Sequence, residues 1–299
     1  MSTNLFWQVI YLLRWHKPAG RLILMIPALW ALVLAEKSLS QAIPLDLLLV
    51  IIGGSLATSA MGCVINDLWD RDLDSQVERT KNRPLAAKTL PLAVGVIVLA
   101  IASLCAFGFA KYLNGLSFGL CWLAVPVIAI YPACKRFFPI PQLVLSLAWG
   151  FAVLIPWSAV TGTLDMNAGL LWLAVVLWTL GFDTVYAMSD RADDQKLGIN
   201  SSALFFGDRT PLFVTCCFLG TAGCLGLLGW HMGLDGWYYS ALAIALLWWL
   251  WQAKELADPH APPSLFARLF GQNVAIGLIL LAGMESLSFL EVLHPALSG

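Results

Sequence analysis

Residues 43–74 read Ile-Pro-Leu-Asp-Leu-Leu-Leu-Val-Ile-Ile-Gly-Gly-Ser-Leu-Ala-Thr-Ser-Ala-Met-Gly-Cys-Val-Ile-Asn-Asp-Leu-Trp-Asp-Arg-Asp-Leu-Asp. An apolar run long enough to cross a bilayer ends here in a burst of carboxylates. Asn66, Asp70 and Asp74 are four apart and fall on one helical face. A second run, 167–187, ends the same way, with Asp183, Tyr186, Asp190 and Asp194 in register on one face.

Outward from these two stretches the chain keeps the same character. Of its 299 residues 60% are hydrophobic and 12% charged, and the mean hydropathy is +0.80. A soluble domain carries roughly 25% charged residues, so this composition excludes one. The net charge of -1 leaves no basic face or arm for nucleic acid. Nine apolar runs are legible, at about 20–36, 43–65, 89–110, 114–133, 142–160, 167–187, 211–230, 236–252 and 273–293. The expected fold is therefore all-α: one multi-pass membrane domain, 1–299, with nine transmembrane helices bundled around a central cavity. The segment Phe6–Trp15 reads as an amphipathic helix at the interface, and the run after it as an uncleaved span.

Charge placement orients the bundle. With a cytoplasmic N-terminus, the inner segments hold Arg14, Lys17, Arg21, Arg71, Arg79, Lys81, Arg83, Lys88, Lys135, Arg136, Arg191, Lys196, Arg209, Lys254 and Arg268, and only Lys37 and Lys111 fall outside. That asymmetry sets the N-terminus inside and the C-terminus outside. Ten acids lie in two windows, Asp67–Glu78 and Asp183–Asp208, both on the inner side.

Like charges four apart repel, and at a helix C-terminus they also oppose the negative end of the dipole. Carboxylate and amide oxygens suit a hard divalent cation, and Mg²⁺ is commonly held by one or two carboxylates together with substrate phosphate oxygens. Two such clusters point to a diphosphate held between metal ions. Asp183, inside an otherwise apolar helix, marks a functional site in its own right. The seven cysteines and four histidines have no ligand spacing, and the cysteines read as small buried apolar residues.

These residues resemble the UbiA superfamily of intramembrane aromatic prenyltransferases. Its two signatures, NDxxDxxxD and DxxYxxxD, stand here as Asn66-Asp67, Asp70, Asp74 and as Asp183, Tyr186, Asp190. Within it the chain is most similar to the 4-hydroxybenzoate polyprenyltransferases. The stretches that carry this are Arg14 to Gly20, Asn82-Arg83-Pro84-Leu85-Ala86, Tyr131 to Arg136 with Pro141-Gln142, and Asp190 to Ile199. Asn200-Ser201-Ser202 departs from the Lys-Ser-Thr-like continuation expected of that branch.

The resemblance implies Mg²⁺-dependent transfer of a polyprenyl group from its diphosphate to the ring carbon ortho to the hydroxyl of 4-hydroxybenzoate, for ubiquinone, plastoquinone or a related quinone. It assigns metal binding to Asn66, Asp70, Asp74, Asp183, Asp190 and Asp194, with Asp67 orienting a basic partner. Arg83 and Lys135 neutralise the diphosphate. Tyr131 and Tyr186 are hydroxyl donors or ring faces for the allylic cation. Arg136, with Arg14, receives the benzoate carboxylate. Trp69, Trp149, Trp157 and Trp178 are candidate tail contacts, whereas Arg79, Lys81 and Lys88 read equally well as topology determinants. The expected location is a bacterial inner membrane, with the site facing the cytoplasm, lipid around it and no obligate protein partner. Two rivals stand beside this reading: a relative with another acceptor (homogentisate, dihydroxynaphthoate, haem or chlorophyllide), and a cation-coupled transporter, which would place its acids at the membrane midplane.

Overall fold

A computed structural model describes residues 4–17, 19–40, 42–258 and 261–285, and among them every regular element is a helix. In chain order these are α1 (Leu5–Leu12), α2 (Ala19–Leu39), α3 (Leu45–Trp69), α4 (Arg71–Asp74), α5 (Leu92–Ala110), α6 (Gly115–Cys134), α7 (Pro141–Thr161), α8 (Met166–Met188), α9 (Arg191–Leu197), α10 (Ser202–Phe206), α11 (Thr210–Met232), α12 (Gly236–Leu256) and α13 (Pro263–Glu285).

Local chemistry explains the boundaries. Asn114, Asp165 and Asp235 cap α6, α8 and α12 by accepting from backbone N–H groups. Pro141 opens α7, and Gly162 and Gly233 close α7 and α11 in the left-handed conformation.

Eight of the described helices are long and apolar enough to cross a membrane. The eighth run read from the sequence is a 21-residue helix, α12, but is not among them. It carries Trp237, Tyr238, Tyr239, Trp248, Trp249 and Trp251 with Lys254 and Glu255 at its end, and the polar indole N–H and phenol groups make it less apolar than an aliphatic run of the same length. The ninth run begins ten residues earlier than expected, at Pro263, because Arg268 projects outward to Glu255 at 3.6 Å without ending the helix. Its expected end, 286–293, lies outside the described residues. The N-terminal helix ends at Leu12, short of the expected Trp15.

The core lies around α8. Trp178 stacks on Trp30 of α2 with ring centroids 4.9 Å apart, and its Nε1 donates to Asn273 Oδ1 of α13 at 2.8 Å. The same oxygen accepts from Trp249 Nε1 of α12 at 3.1 Å, so one buried amide ties three helices where no water can serve as partner. Gly181 and Gly220 let α8 and α11 approach closely, against Phe218 and Leu177 respectively. A cavity of about 1030 Å³ opens between α2, α3, α5, α6, α7 and α8. Two cysteines, Cys105 and Cys216, are exposed on the outer faces of α5 and α11 instead of buried.

The bundle has two distinct ends. At one, Tyr112 hydrogen-bonds Asp46 and the Asn114 amide donates to the Ser158 carbonyl. The other gathers Arg14, the segment 66–90, Lys135–Arg136 and the segment 183–202.

Candidate active site

Both acidic stretches occupy the same structural position, the break between a spanning helix and a short one. Asp70 ends α3 and precedes α4 at φ −95°, ψ 7°, and Asp190 precedes α9 at φ −103°, ψ −2°. Asn66, Asp70 and Asp74 therefore do not ride one continuous helix, and neither do Asp183, Asp190 and Asp194. Crowded carboxylates at a helix C-terminus favour ending it. The four-residue spacing survives because the backbone bonds Asp70 N–H to Asn66 O (2.9 Å), Asp74 N–H to Asp70 O (2.7 Å) and Asp194 N–H to Asp190 O (2.9 Å) bridge the breaks.

Asn66, Asp70, Asp74, Asp183, Asp190 and Asp194 all line this cavity, as do Tyr131 and Tyr186. Most of these acids face a cation from elsewhere in the chain. Lys135 Nζ is 2.7 Å from Asp70 Oδ2, and Arg83 Nη1 is 2.6 Å from Asp74 Oδ2. Asp67, only 1% exposed, takes Arg14 at 2.6 Å and Arg83 at 3.2 Å on a single oxygen, the orienting position expected for it. Arg79 reaches across to the second stretch. Its Nε and Nη2 meet the two Asp190 oxygens at 2.8 and 2.5 Å, its Nη1 donates to Tyr186 Oη at 2.6 Å, and its guanidinium stands 4.9 Å from the Tyr186 ring centroid. Burial opposes the Arg79 charge, but Asp190 and Tyr186 more than offset it and raise its pKa.

Other acids are less well matched. Burial, followed by the charge of Asp190, pushes Asp194 up to about 6, even though its side chain is hydrogen-bonded to Ser201. Burial likewise raises Asp74 against the pull of Arg83. Asp67 Oδ2 and Asp70 Oδ1 are buried with no hydrogen-bond partner. Asp183 makes no ion pair among the described residues.

No three His, Cys, Asp or Glu side chains among the described residues form a ready metal cage. The donor set still fits Mg²⁺, since it offers hard oxygens in excess of their cations, one of them, Asp70 Oδ1, buried and unsatisfied, around a space open to a phosphate-bearing ligand.

The predicted residues are not all in the cavity wall. Arg136 is outside it, 41% exposed, donating to the carbonyls of Trp69 and Pro132 and standing 3.6 Å from Asp70. Of the four tryptophans only Trp149 lines the cavity. Trp157 and Trp178 are fully buried in the core, and Trp69 is half-exposed beneath Arg136.

The sequence left Arg79 evenly balanced between the site and a topology role, because its partners lie 107 and 111 residues away and leave no local trace. Sequence reasoning also missed the brace behind Asp194, in which Gln142 Oε1 accepts from Ser202 N–H at 2.7 Å, Ser202 Oγ meets Thr184 Oγ1 at 2.8 Å and Asn200 N–H bonds the Lys135 carbonyl at 2.9 Å. The departure at Asn200-Ser201-Ser202 was the available signal.

Residues 24–274 match the model of the UbiA prenyltransferase family. The chain is 59% identical over 283 residues, 95% of its length and 96% of the relative's, to a 4-hydroxybenzoate solanesyltransferase of Synechocystis sp.. It is 37% identical to a 4-hydroxybenzoate octaprenyltransferase of Sodalis glossinidius, over 91% of this chain and 92% of that one. The fold is similar to the apo structure of a UbiA homologue from Aeropyrum pernix (TM-score 0.77, 22% identity, 87% of this chain and 96% of that one). It is also similar to a homologue from Archaeoglobus fulgidus bound to GPP and Mg²⁺ (TM-score 0.68, 17% identity, 92% and 99%).

Proposed function

The chain belongs to the UbiA prenyltransferase family, and from that premise we propose that it moves a polyprenyl group from an allylic polyprenyl diphosphate to the carbon ortho to the hydroxyl of 4-hydroxybenzoate, in quinone biosynthesis. The observation that carries this reading is the joining of both acidic stretches, Asn66–Asp74 and Asp183–Asp194, in the wall of one largely apolar cavity. The 59% identity with the solanesyltransferase supports the acceptor and a long tail.

In this mechanism Asn66, Asp70, Asp74, Asp183, Asp190 and Asp194 hold magnesium with the diphosphate. The metal supplies Lewis-acid stabilisation of the charge that builds on the departing diphosphate. Arg79, Arg83 and Lys135, within reach of the same acids, neutralise the diphosphate oxygens. Tyr131 and Tyr186 turn ring faces to the allylic cation as the C–O bond breaks. The electron-rich carbon ortho to the phenol oxygen attacks that cation, and loss of its proton restores the ring. The apolar length of the cavity excludes water from the cation and receives the first part of the tail.

The same reading includes nine spans, with α12 as the eighth, a cytoplasmic N-terminus, and a site facing the cytoplasm of a bacterial cell at its inner membrane, in contact with lipid. Fifteen of the 17 basic residues listed above support that orientation. The gathering of both acidic stretches at one end of the bundle also favours it over a transporter with acids at mid-depth.

The test is a product assay on the purified protein with Mg²⁺ and a polyprenyl diphosphate, offering 4-hydroxybenzoate beside homogentisate and dihydroxynaphthoate. Prenylated 4-hydroxybenzoate is the expected product. Prenylation of another acceptor alone would transfer the assignment to that acceptor.

A further inference from the structure

Six basic side chains line the cavity: Arg14, Lys17, Arg21, Arg79, Arg83 and Lys135. Four of them meet carboxylates within 2.7 Å, namely Asp67, Asp190, Asp74 and Asp70 respectively. Lys17 is exposed. Arg21, in the first turn of α2, is partly buried and makes no ion pair among the described residues.

Two contacts fix its direction: Nη2 donates to the Arg14 carbonyl at 3.0 Å, and the guanidinium stands 5.5 Å from the Trp15 ring centroid. Neither neutralises its charge, and both leave N–H donors of the fork uncommitted. Cys63 on α3 lines the same cavity as Arg21. Asn66 and Asp70 follow Cys63 by one and two turns, about 5 and 10 Å along the helix. The wall on this side of the cavity leaves room, since the lining residues Gly20, Ser59, Gly62 and Cys63 are small.

An anion that fits here is planar, carries one negative charge, and extends by about a ring length from that charge towards the acidic stretches. We propose that Arg21 binds the carboxylate of the aromatic acceptor as a planar fork and aims the ring at the diphosphate end of the cavity. The assignment rests on the acceptor proposed above. It gives the carboxylate to Arg21 because Arg136 lies outside the cavity lining and Arg14 is engaged by Asp67.

The experiment compares wild type with Arg21→Gln and Arg21→Lys, using 4-hydroxybenzoate and its uncharged amide as acceptors. Wild-type turnover of 4-hydroxybenzoate is measured first, and its absence would remove the proposed function and this assignment with it. Given that turnover, Arg21→Gln should raise KM for 4-hydroxybenzoate about 10- to 100-fold, as expected for one lost charge-assisted pair. KM for the prenyl diphosphate should stay within about twofold, and KM for the amide as acceptor should be equal in wild type and variant. Arg21→Lys should lie between, keeping the charge without the fork. An unchanged KM for 4-hydroxybenzoate in Arg21→Gln, or equal weakening towards the acid, the amide and the diphosphate, overturns the assignment. If Arg21→Gln does not fold, the acid-to-amide ratio in Arg21→Lys decides in the same way.

Discussion

Arg79 and Asp190, 111 residues apart, face each other through two parallel N–H to oxygen contacts of 2.8 and 2.5 Å. This pair joins the loop after α4 to the start of α9, and so ties the two acidic stretches to each other across the cavity. Arg79→Gln removes the fork and its charge while keeping a polar side chain. Prenyl transfer should fall at least about tenfold, because a bidentate charge-assisted pair at the reacting end is lost. Thermal stability should change little, since Arg79 is 38% exposed and water can replace it. Full activity in this variant would remove Arg79 from the site.

The metal-binding role of the two stretches predicts a shared phenotype for Asp70→Ala and Asp190→Ala. Each should lower turnover by about 100-fold or more at saturating diphosphate, with the residual rate needing more Mg²⁺. A Mg²⁺ titration on both variants checks this, and wild-type rates in either one contradict the assignment.

Chelation should separate activity from folding. EDTA is expected to abolish prenyl transfer and added Mg²⁺ to restore it, whereas helical content and melting temperature should stay unchanged without metal. The reason is that Lys135, Arg83 and Arg79 already pair Asp70, Asp74 and Asp190 in the metal-free protein. A large drop in melting temperature on chelation would show that metal is part of the fold.

Arg83 serves two acids, Asp67 and Asp74, that are 1% and 8% exposed. Arg83→Met should destabilise the protein by about 3 kcal/mol, since it leaves buried carboxylates with fewer partners. Asp67→Asn should cost less, because Arg14 and Arg83 then keep a neutral acceptor. Unfolding titrations of the two variants in mild detergent measure the difference, and equal stability of Arg83→Met and wild type contradicts the pairing.

Asn273 offers a structural counterpart far from the chemistry. Its Oδ1 accepts from both Trp178 and Trp249, so Asn273→Leu leaves two buried indole N–H groups unsatisfied. A loss of about 2–4 kcal/mol is expected, with KM values unchanged in whatever fraction remains folded. A shift in acceptor KM would mean that the core and the cavity are coupled.

The helices were legible in the chain because each apolar run answers a local demand: a bilayer-length segment without water must satisfy its own backbone. The acidic stretches were legible for a similar reason, since spacing of four residues places side chains together whatever surrounds them. Their helical continuity was not, for Asp70 and Asp190 each fall at a break that the register of backbone bonds conceals. Tertiary structure alone decided which cation meets which acid: Arg14 with Asp67, Lys135 with Asp70 and Arg79 with Asp190 are 53, 65 and 111 residues apart. It also put Trp149 in the cavity wall while Trp157 and Trp178 went to the core, though all three lie in equally apolar helices. Helix formation depends on neighbours along the chain, whereas ion pairing and the facing of a side chain depend on how helices rotate against one another, which no single segment encodes.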